Sequence, residues 1–505
     1  DLRFPPLADS YVTTGISATY AELIALCYPT PEHFALVKAR SGDNPTGWAA
    51  RSALFYREPA APATDDAPVV QVTLPDMVFP FLSQGLLRLG ESGRDGLALL
   101  DASNWGGHHH RDSLNLYLWK DGHELLSDLG YLWDHPDKNM TVRTLAHNLV
   151  LIDGQDQKTT GRGGAFAFFA LSPRLKAMRA SSTAYDAATV YERTVVQVDH
   201  GDLGAYWLDL FRAQGGERRD YLFHGPSHNY VLEGAVCPPP DQDNPAALRD
   251  TGASGSWKAV WKISDTYRFA AYSPGHPDET LLIADEWGQR DSRNADRGAT
   301  LPYFFRRRTG AQVDAFVQVF AGFEEGRELV QSVKVTTPRD HAVIVEITHA
   351  GGRDIVLFGD GSRLELTSVP VVSDGILAVV AGLPAPGQAP TTTQPTALLL
   401  GGAELQAPGV TLSNSRADWS GTIAAQVSQD GDSWFELAGA TLPTPEQFRG
   451  QALIVTGDDA ISRAYPVLRA ESTGQGALKV YTRLSYQGFQ ARPATTWRLY
   501  ALAVK

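Results

Sequence analysis

The chain has 505 residues, which is long for one ordinary domain, and its 43% hydrophobic and 10% aromatic content is typical of a folded protein with several cores. Its formal net charge of −13 argues against nonspecific nucleic-acid binding, which depends on a basic surface, but permits a locally basic cleft for an anionic substrate. No apolar run approaches the length of a bilayer-spanning helix, so we expect no membrane span.

Three helices are predicted in the first 60 residues. "SATYAELIALC" follows an N-cap candidate at Ser17, and "TPEHFALVKARSG" has Thr30 as N-cap and Gly42 as terminator. The third candidate is "TGWAARSALFYRE". Because three amphipathic helices do not close a compact helical domain, this segment is interpreted as the end of a larger helical unit.

After the predicted helices, the sequence pattern changes to one typical of β-strands. "PAAPATDDAP" predicts a linker, and short alternating segments such as "LNLYLW" and "AVIVEIT", separated by Gly, Asp-Gly and Pro, are typical of antiparallel strands. A second break, "AGLPAPGQAPTTTQP", falls near residues 381–395. We therefore predict a mainly antiparallel β protein, with a helical tail at 1–60, a large β-sandwich domain at 61–380 and a smaller β domain at 381–505.

Three consecutive histidines stand at the start of a predicted hairpin. The stretch "GGHHHRDSLNLYLWKDGHELLSDLGY" covers residues 106–131, and its alternation predicts that Leu114, Leu116 and Leu118 share one face of a strand that turns at Asp121-Gly122. If this strand extended backwards, His108 and His110 would share the leucine face and His109 would point away.

These histidines, with a carboxylate and a later histidine, predict a metal site. His108, His110, Asp128 and His147 supply a nitrogen and oxygen donor set that zinc accepts in tetrahedral geometry, whereas harder ions prefer more oxygen. In an ideal hairpin Asp128 would lie about 13 Å from His110, so a bend within residues 106–112 is also predicted. The alternative is a histidine-rich surface turn, with His147 as a hydrogen-bonded core residue.

The ordered blocks of this region resemble a known family. "GGHHHRDSLNLYLWKDGHELLSDLGY", "TVRTLAHNLVLIDGQDQ" and the later "EWGQRDSRNADRGATLPYFFRRRTG" are similar to blocks of the heparinase II/III-like polysaccharide lyases. The resemblance spans roughly residues 70–330. It implies an N-terminal (α/α) toroid followed by antiparallel β domains, with the helices of residues 1–60 as the end of an incomplete toroid.

The resemblance also implies roles for single residues. His110, Asp128 and His147 match the ligands of a structural zinc, and His108 matches a histidine that acts in catalysis or holds the uronate. Tyr131 and Arg143 are weaker candidates for binding substrate; the alternatives are an aromatic cap on the hairpin and a solvated loop charge. The remaining catalytic groups are expected from an upstream helical domain or chain.

The implied reaction is β-elimination on an anionic uronate polysaccharide of the heparin, heparan sulfate or alginate type, in the periplasm or outside the cell. A noncatalytic carbohydrate-binding or structural β module is the alternative, and hydrolysis by paired carboxylates ranks last because no such pair stands out. Arg306, Arg307 and Arg308 either bind sulfate or carboxylate groups or form a solvated face. His224 is assigned no chemistry.

Overall fold

The protein is described here from a computed structural model. The structure describes residues 3–42, 46–56, 75–89, 95–103, 108–159, 163–241, 243–385, 387, 394–428, 433–473, 476–482 and 493–505. The predicted linker at residues 59–68 lies outside the described residues.

Three short helices open the chain, as predicted: α1 (Ala18–Cys27), α2 (Pro31–Ser41) and α3 (Gly47–Tyr56). The hydroxyl of Ser17 accepts a hydrogen bond from the third residue of α1, and the hydroxyl of Thr30 accepts one in the same way at α2. α2 ends at Gly42, whose φ of 67° favours glycine. α1 packs against both other helices. Within the described residues, no helix has the length and apolarity needed to cross a membrane.

The remainder of the described chain is mainly strand, which confirms the predicted fold class. The first five strands are β1 (Met77–Phe79), β2 (Gln84–Leu89), β3 (Gly96–Asp101), β4 (Asn115–Lys120) and β5 (His123–Leu126). The next thirteen are β6 (Val150–Ile152), β7 (Gly164–Leu171), β8 (Leu175–Ser182), β9 (Val190–Asp199), β10 (Ala205–Gln214), β11 (Arg218–His224), β12 (Tyr230–Glu233), β13 (Arg249–Asp250), β14 (Trp257–Lys262), β15 (Tyr267–Ser273), β16 (Thr280–Trp287), β17 (Thr300–Thr309) and β18 (Asp314–Glu324).

The later strands fall into two further groups. The first group is β19 (Val330–Arg339), β20 (Ala342–His349), β21 (Gly352–Phe358), β22 (Leu364–Leu366), β23 (Val371–Ser373), β24 (Leu377–Leu383), β25 (Thr396–Leu400), β26 (Glu404–Ala407) and β27 (Val410–Ser413). The second group is β28 (Asp418–Val427), β29 (Ser433–Ala438), β30 (Ala452–Gly457), β31 (Ser462–Thr473), β32 (Ala477–Thr482), β33 (Ala494–Tyr500) and β34 (Leu502–Val504).

Within the described residues all the strand pairs are antiparallel, and they form stacked layers. β1 to β5 make one sheet in sequence order; an eight-stranded sheet has the order β12-β14-β15-β18-β10-β9-β8-β7; a five-stranded sheet has the order β13-β16-β17-β11-β6. A six-stranded sheet follows, β19-β20-β21-β24-β25-β34, with the four-stranded sheet β22-β23-β26-β27 and a closed barrel of β28 to β33.

The largest core lies between the eight-stranded and five-stranded sheets and includes the inner face of β4. It contains many large aromatic residues, among them Trp207, Phe223 and Phe304, all fully buried. The other face of the eight-stranded sheet packs on the six-stranded sheet through a second core. The central strands of the eight-stranded sheet, such as β10, are therefore buried on both faces, unlike a strand with one solvated face.

The predicted domain boundary at residue 380 falls within β24. β24 pairs with β25, so backbone hydrogen bonds continue across this position in one sheet. The division at 60 and 380 stays a prediction.

Candidate metal centre and cleft

The hairpin that carries the candidate site forms as predicted at its turn. Asp121 and Gly122 have φ of 50° and 88° and join β4 to β5 as a two-residue loop, the geometry that Asp-Gly favours. Leu114, Leu116 and Leu118 lie fully buried in the largest core, which confirms the predicted leucine face.

The expected arrangement of the three histidines is wrong. β4 begins at Asn115, and Leu114 has a φ of 72°, so the strand does not extend back to the histidines. His108 is 86% exposed, whereas His110 is fully buried. His109 is also turned inward, with its Nε2 atom 3.3 Å from Asp112. A left-handed residue cannot continue the period-two alternation, so the predicted pattern stops at Leu114.

His110, Asp128 and His147 nevertheless converge. One donor atom from each lies within 4.8 Å of the others, and all three residues are fully buried. His147 Nδ1 lies 3.1 Å from Asp128 Oδ2, and the two imidazole centroids are 5.5 Å apart. The His147 Nδ1–Asp128 contact is a hydrogen bond, and the proximity of one donor atom from each residue supports a shared ion.

Two breaks in regular structure bring these residues together. The left-handed Leu114 turns the chain that carries His110, and an extra residue at Leu125 shifts the pairing of β5 against β4. The bend predicted within residues 106–112 falls partly on residues 106 and 107, which lie outside the described residues, and Arg111 lies at a bend within the described part of this range. His147 follows a short 3₁₀ turn at Thr144–Ala146 and is extended.

Unsatisfied polar atoms support a bound cation at this site. Within the described residues, His110 Nδ1 and His147 Nε2 are buried without a hydrogen-bond partner. Buried polar side-chain atoms normally have partners, so an imidazole nitrogen left alone indicates a group that the protein binds. The residues present therefore fit a metal ion of the zinc type.

Asn115 and Asn148 hold the ligand-bearing segments in register. The Asn115 amide donates to Asp128 Oδ2 at 2.8 Å, and its carbonyl accepts from the Asn148 backbone N–H at 2.9 Å. The Asn148 amide donates to the carbonyl oxygens of Leu116 and Ser127 at 3.1 and 2.9 Å. Each amide thus joins two separate segments, which is the role expected of groups around metal ligands.

Two arginines complete this support. Arg193 is fully buried, forms a bidentate pair with Asp209 at 2.6–2.8 Å, and donates to the carbonyl of Leu114 at 2.7 Å. Arg290 donates to the backbone carbonyl of Asp128 at 2.6 Å and to Glu124. Arg290 therefore contacts the site although it lies more than 160 positions after Asp128 in the sequence.

At neutral pH the shifted pKa values leave His110 neutral and Asp128 ionised, the states that bind a cation. Burial, together with the charge of His147, lowers the pKa of His110 to about 4. Burial opposes ionisation of Asp128, but the two imidazoles outweigh it and lower its pKa to about 2. Burial likewise opposes protonation of His147, but Asp128 outweighs it and raises the His147 pKa. A binding cation would therefore displace a proton from His147.

Sequence reasoning missed two further buried groups near the ligands. His224 is fully buried, and neither of its ring nitrogens has a hydrogen-bond partner in the described structure. Burial lowers the pKa of His224 to about 3. Burial also raises the pKa of Asp112 well above its usual range. His224 has no spacing or motif signal, because it reaches the site only through the packing of strands, whereas Asp112 follows His110 by two residues in the histidine-rich block.

The predicted substrate-contact residues, Tyr131 and Arg143, are both partly exposed. Tyr131 is half-buried between Tyr11 and Trp133, with ring centroids 6.4 and 5.9 Å away, and Trp133 is 58% exposed. Lys138 Nζ lies 4.5 Å from the Trp133 ring centre. Arg143 is 43% exposed and is paired with Asp156 at 3.5 Å.

The three consecutive arginines fit neither expected role. Arg306 and Arg308 are buried and both pair with Glu279 at 2.8 Å, and Arg307 pairs with Asp220 at 2.7 Å. They stabilise the interior of the sandwich, because β17 lies in the five-stranded sheet between β16 and β11.

The comparison with known families identifies this region. Residues 74–261 match the family described as heparinase II/III-like, C-terminal. This match agrees with the resemblance of the sequence blocks to heparinase II/III-like proteins. The matched segment includes all three candidate metal ligands and His108. No curated protein matches the chain by sequence.

The chain is similar in fold to two solved heparinase III structures. A heparinase III has a TM-score of 0.51 at 13% identity, over 71% of this chain and 50% of its own. A second heparinase III, the BT4657 gene product, gives 0.50 at 12% identity with the same coverage. The heparan sulfate lyase HepC from Pedobacter heparinus gives 0.48 at 14%, over 70% and 50%. The chain thus spans about half the length of these structures.

Proposed function

We propose that this protein is a polysaccharide lyase that cleaves a uronate polymer by β-elimination. The observation that supports this most is the buried His110–Asp128–His147 centre beside the exposed imidazole of His108, within a heparinase II/III-like domain. The substrate class is an anionic polysaccharide such as heparin, heparan sulfate or alginate.

The chemistry sets what the site must supply. The proton on C5 of a uronate lies next to a carboxylate, so its removal builds negative charge on a group that is already anionic. Donors or cations must therefore stabilise that carboxylate, a base must take the proton, and an acid must protonate the departing O4. Imidazole and phenol groups suit the last two tasks because their environment can move the pKa toward working pH.

His108 is our candidate for proton transfer or uronate binding. Its exposure leaves the ring accessible to a polymer, while the fully buried His110 two residues later anchors the segment. Tyr131 and Arg143 are the candidates for contact with substrate. Arg143 already pairs with Asp156, so it would share its charge between this carboxylate and a bound uronate.

The proposed zinc acts structurally, held by His110, Asp128 and His147. When bound, it would supply a central positive charge that joins three separate chain segments. The chain's own residues then determine the cleft: the amides of Asn115 and Asn148 and the guanidinium of Arg193 keep these segments aligned, and His108 emerges from one of them.

The remaining clamp and acid groups are proposed to come from a helical domain or chain that faces His108. A polymeric substrate does not cross a membrane unaided, so we propose a periplasmic or secreted location.

The test is incubation of the complete protein with heparan sulfate, heparin and alginate, followed by ultraviolet absorbance of unsaturated uronate ends. We expect product with one of these polymers, and His108→Ala should lower the rate by roughly 10²–10⁴-fold, the usual value of one proton-transfer group. Absence of unsaturated product from every uronate polymer would contradict the proposal.

A noncatalytic carbohydrate-binding role is the second candidate. The aromatic group of Tyr11, Tyr131 and exposed Trp133 favours it, because sugar rings pack on such surfaces. This role predicts that His108→Ala keeps its affinity for the glycan and that no form of the protein turns substrate over.

A further inference from the structure

One carboxylate outside the heparinase II/III-like segment contacts both functional histidines. Asp9 Oδ2 lies 2.8 Å from His108 Nδ1, and Asp9 Oδ1 lies 3.3 Å from His110 Nε2. The backbone N–H of Asp9 also donates to the carbonyl of His108 at 3.3 Å. Asp9 precedes α1 and has no spacing relation to the histidines, which lie about 100 positions later.

The segment that carries Asp9 is fixed against the site by its neighbours. The backbone N–H of Tyr131 donates to the carbonyl of Ser10 at 3.1 Å. Gly130 permits this approach: its φ is 66°, and a Cβ atom there would lie 2.5 Å from the same carbonyl oxygen. Backbone hydrogen bonds to His108 and Tyr131 therefore hold the Asp9 segment next to the two histidines.

A carboxylate accepts hydrogen bonds, so each imidazole nitrogen that faces Asp9 carries the proton. For His108 this leaves Nε2 with the free electron pair, on an exposed ring. For His110 it leaves Nδ1 with the free pair, and Nδ1 is the buried nitrogen without a partner among the described residues. The same carboxylate therefore selects the metal-binding nitrogen of one histidine and the exposed basic nitrogen of the other.

We infer that Asp9 is a positioning residue that fixes the tautomers of His108 and His110 together, and so couples the segment before α1 to the metal centre and the cleft. This inference rests on the proposed function for the role of His108 in the cleft. Its geometric part stands on the two hydrogen bonds alone.

The test uses the whole chain loaded with zinc and labelled with ¹⁵N-histidine. Two-bond proton–nitrogen spectra, assigned with His108→Gln and His110→Gln, should show Nδ1–H for His108 and Nε2–H for His110. In Asp9→Ala we expect His108 to lose its tautomer preference and zinc affinity, measured by chelator competition, to fall about 10–100-fold, as for other outer partners of metal ligands. Asp9→Asn should weaken the His108 tautomer preference and the zinc affinity less than Asp9→Ala does, because the amide keeps one of the two acceptor oxygens.

The control is Asp134→Asn, which removes an exposed carboxylate from the loop after Tyr131 and should change neither measurement. The inference is overturned if Asp9→Ala leaves the His108 spectrum and the zinc affinity as in the unsubstituted chain. Failure of the proposed function is a separate result, because it would appear as absent lyase product in the unsubstituted protein while the spectra still report the tautomers.

Discussion

Two clusters of two histidines and one aspartate lie in different layers of this protein. His110, Asp128 and His147 form the candidate metal centre, and His200, His349 and Asp354 bring their donor atoms within the same 4.8 Å. By composition and proximity the two clusters are equivalent. The two clusters differ in how many of their buried polar atoms have hydrogen-bond partners.

The second cluster is a hydrogen-bond network centred on Asp354. Asp354 accepts from His200 Nε2 and Tyr206 Oη at 2.7 Å each, from His349 Nε2 at 3.0 Å and from a backbone N–H at 2.8 Å. The backbone N–H of Gly351 donates to His349 Nδ1 at 3.1 Å, so Nε2 carries the proton and is a donor, not a metal ligand.

The comparison shows that proximity of donor types alone does not identify a metal site. In the candidate centre two buried ring nitrogens remain without partners among the described residues, whereas none of the second cluster's ring nitrogens is in that condition. A satisfied carboxylate between two imidazoles stabilises a fold, and an unsatisfied set can hold an ion.

The largest expected effect follows removal of Asp128. Asp128→Ala takes away a proposed ligand and leaves His147 and the Asn115 amide without their buried acceptor. We expect zinc content to fall from about one per chain to near zero, and the free energy of unfolding to fall by more than the ~3–5 kcal/mol typical of a broken buried pair. Elemental analysis and thermal denaturation check this; zinc well below one per chain in the unsubstituted protein would contradict it.

Asp354→Ala is the matched substitution in the second cluster. It should lower the free energy of unfolding by about 3–5 kcal/mol, because His200, His349 and Tyr206 all lose their acceptor. Zinc content should stay at the unsubstituted value. Urea denaturation and elemental analysis measure the two quantities, and a loss of zinc in this variant would show that the clusters are not functionally distinct.

The sequence predicted the regular parts of the molecule well. Ser17, Thr30 and Gly42 mark helix ends by local chemistry, and the Asp121-Gly122 turn follows from the two residues alone. Mainly antiparallel β structure followed from short alternating segments, although strands of the eight-stranded sheet are buried on both faces and lose that alternation.

The site was predictable only through the order of its motifs. The left-handed Leu114 and the extra residue at Leu125 break the period on which the ideal hairpin depends, so the orientation of His108 and His109 was wrong. Asp9 and His224 reach the centre through tertiary packing, to which no local pattern corresponds.

The candidate centre should also respond to acid through His224. Burial lowers the pKa of His224 to about 3. Between pH 6.5 and about pH 3 this histidine is therefore protonated in the unfolded chain but neutral in the native protein. The contribution of His224 is therefore complete above pH 6.5 and declines by about 1.4 kcal/mol per pH unit down to about pH 3. Between pH 7 and pH 5, His224→Phe should lose about 2 kcal/mol less stability than the unsubstituted protein, measured by urea denaturation; parallel curves would contradict the assignment.

Tyr206→Phe isolates one bond of the second cluster. The substitution removes the Tyr206 hydroxyl from Asp354 and keeps the aromatic ring, which is fully buried. Since Asp354 retains its two imidazoles and a backbone donor, the expected loss is about 1.5 kcal/mol, at the lower end for a hydrogen bond to a charged group. Urea denaturation should show this loss with unchanged zinc content and unchanged glycan turnover. A much larger loss would mean that the hydroxyl, and not the imidazoles, sustains the charge of Asp354, and the contrast between a satisfied and an unsatisfied cluster would then depend on a single donor.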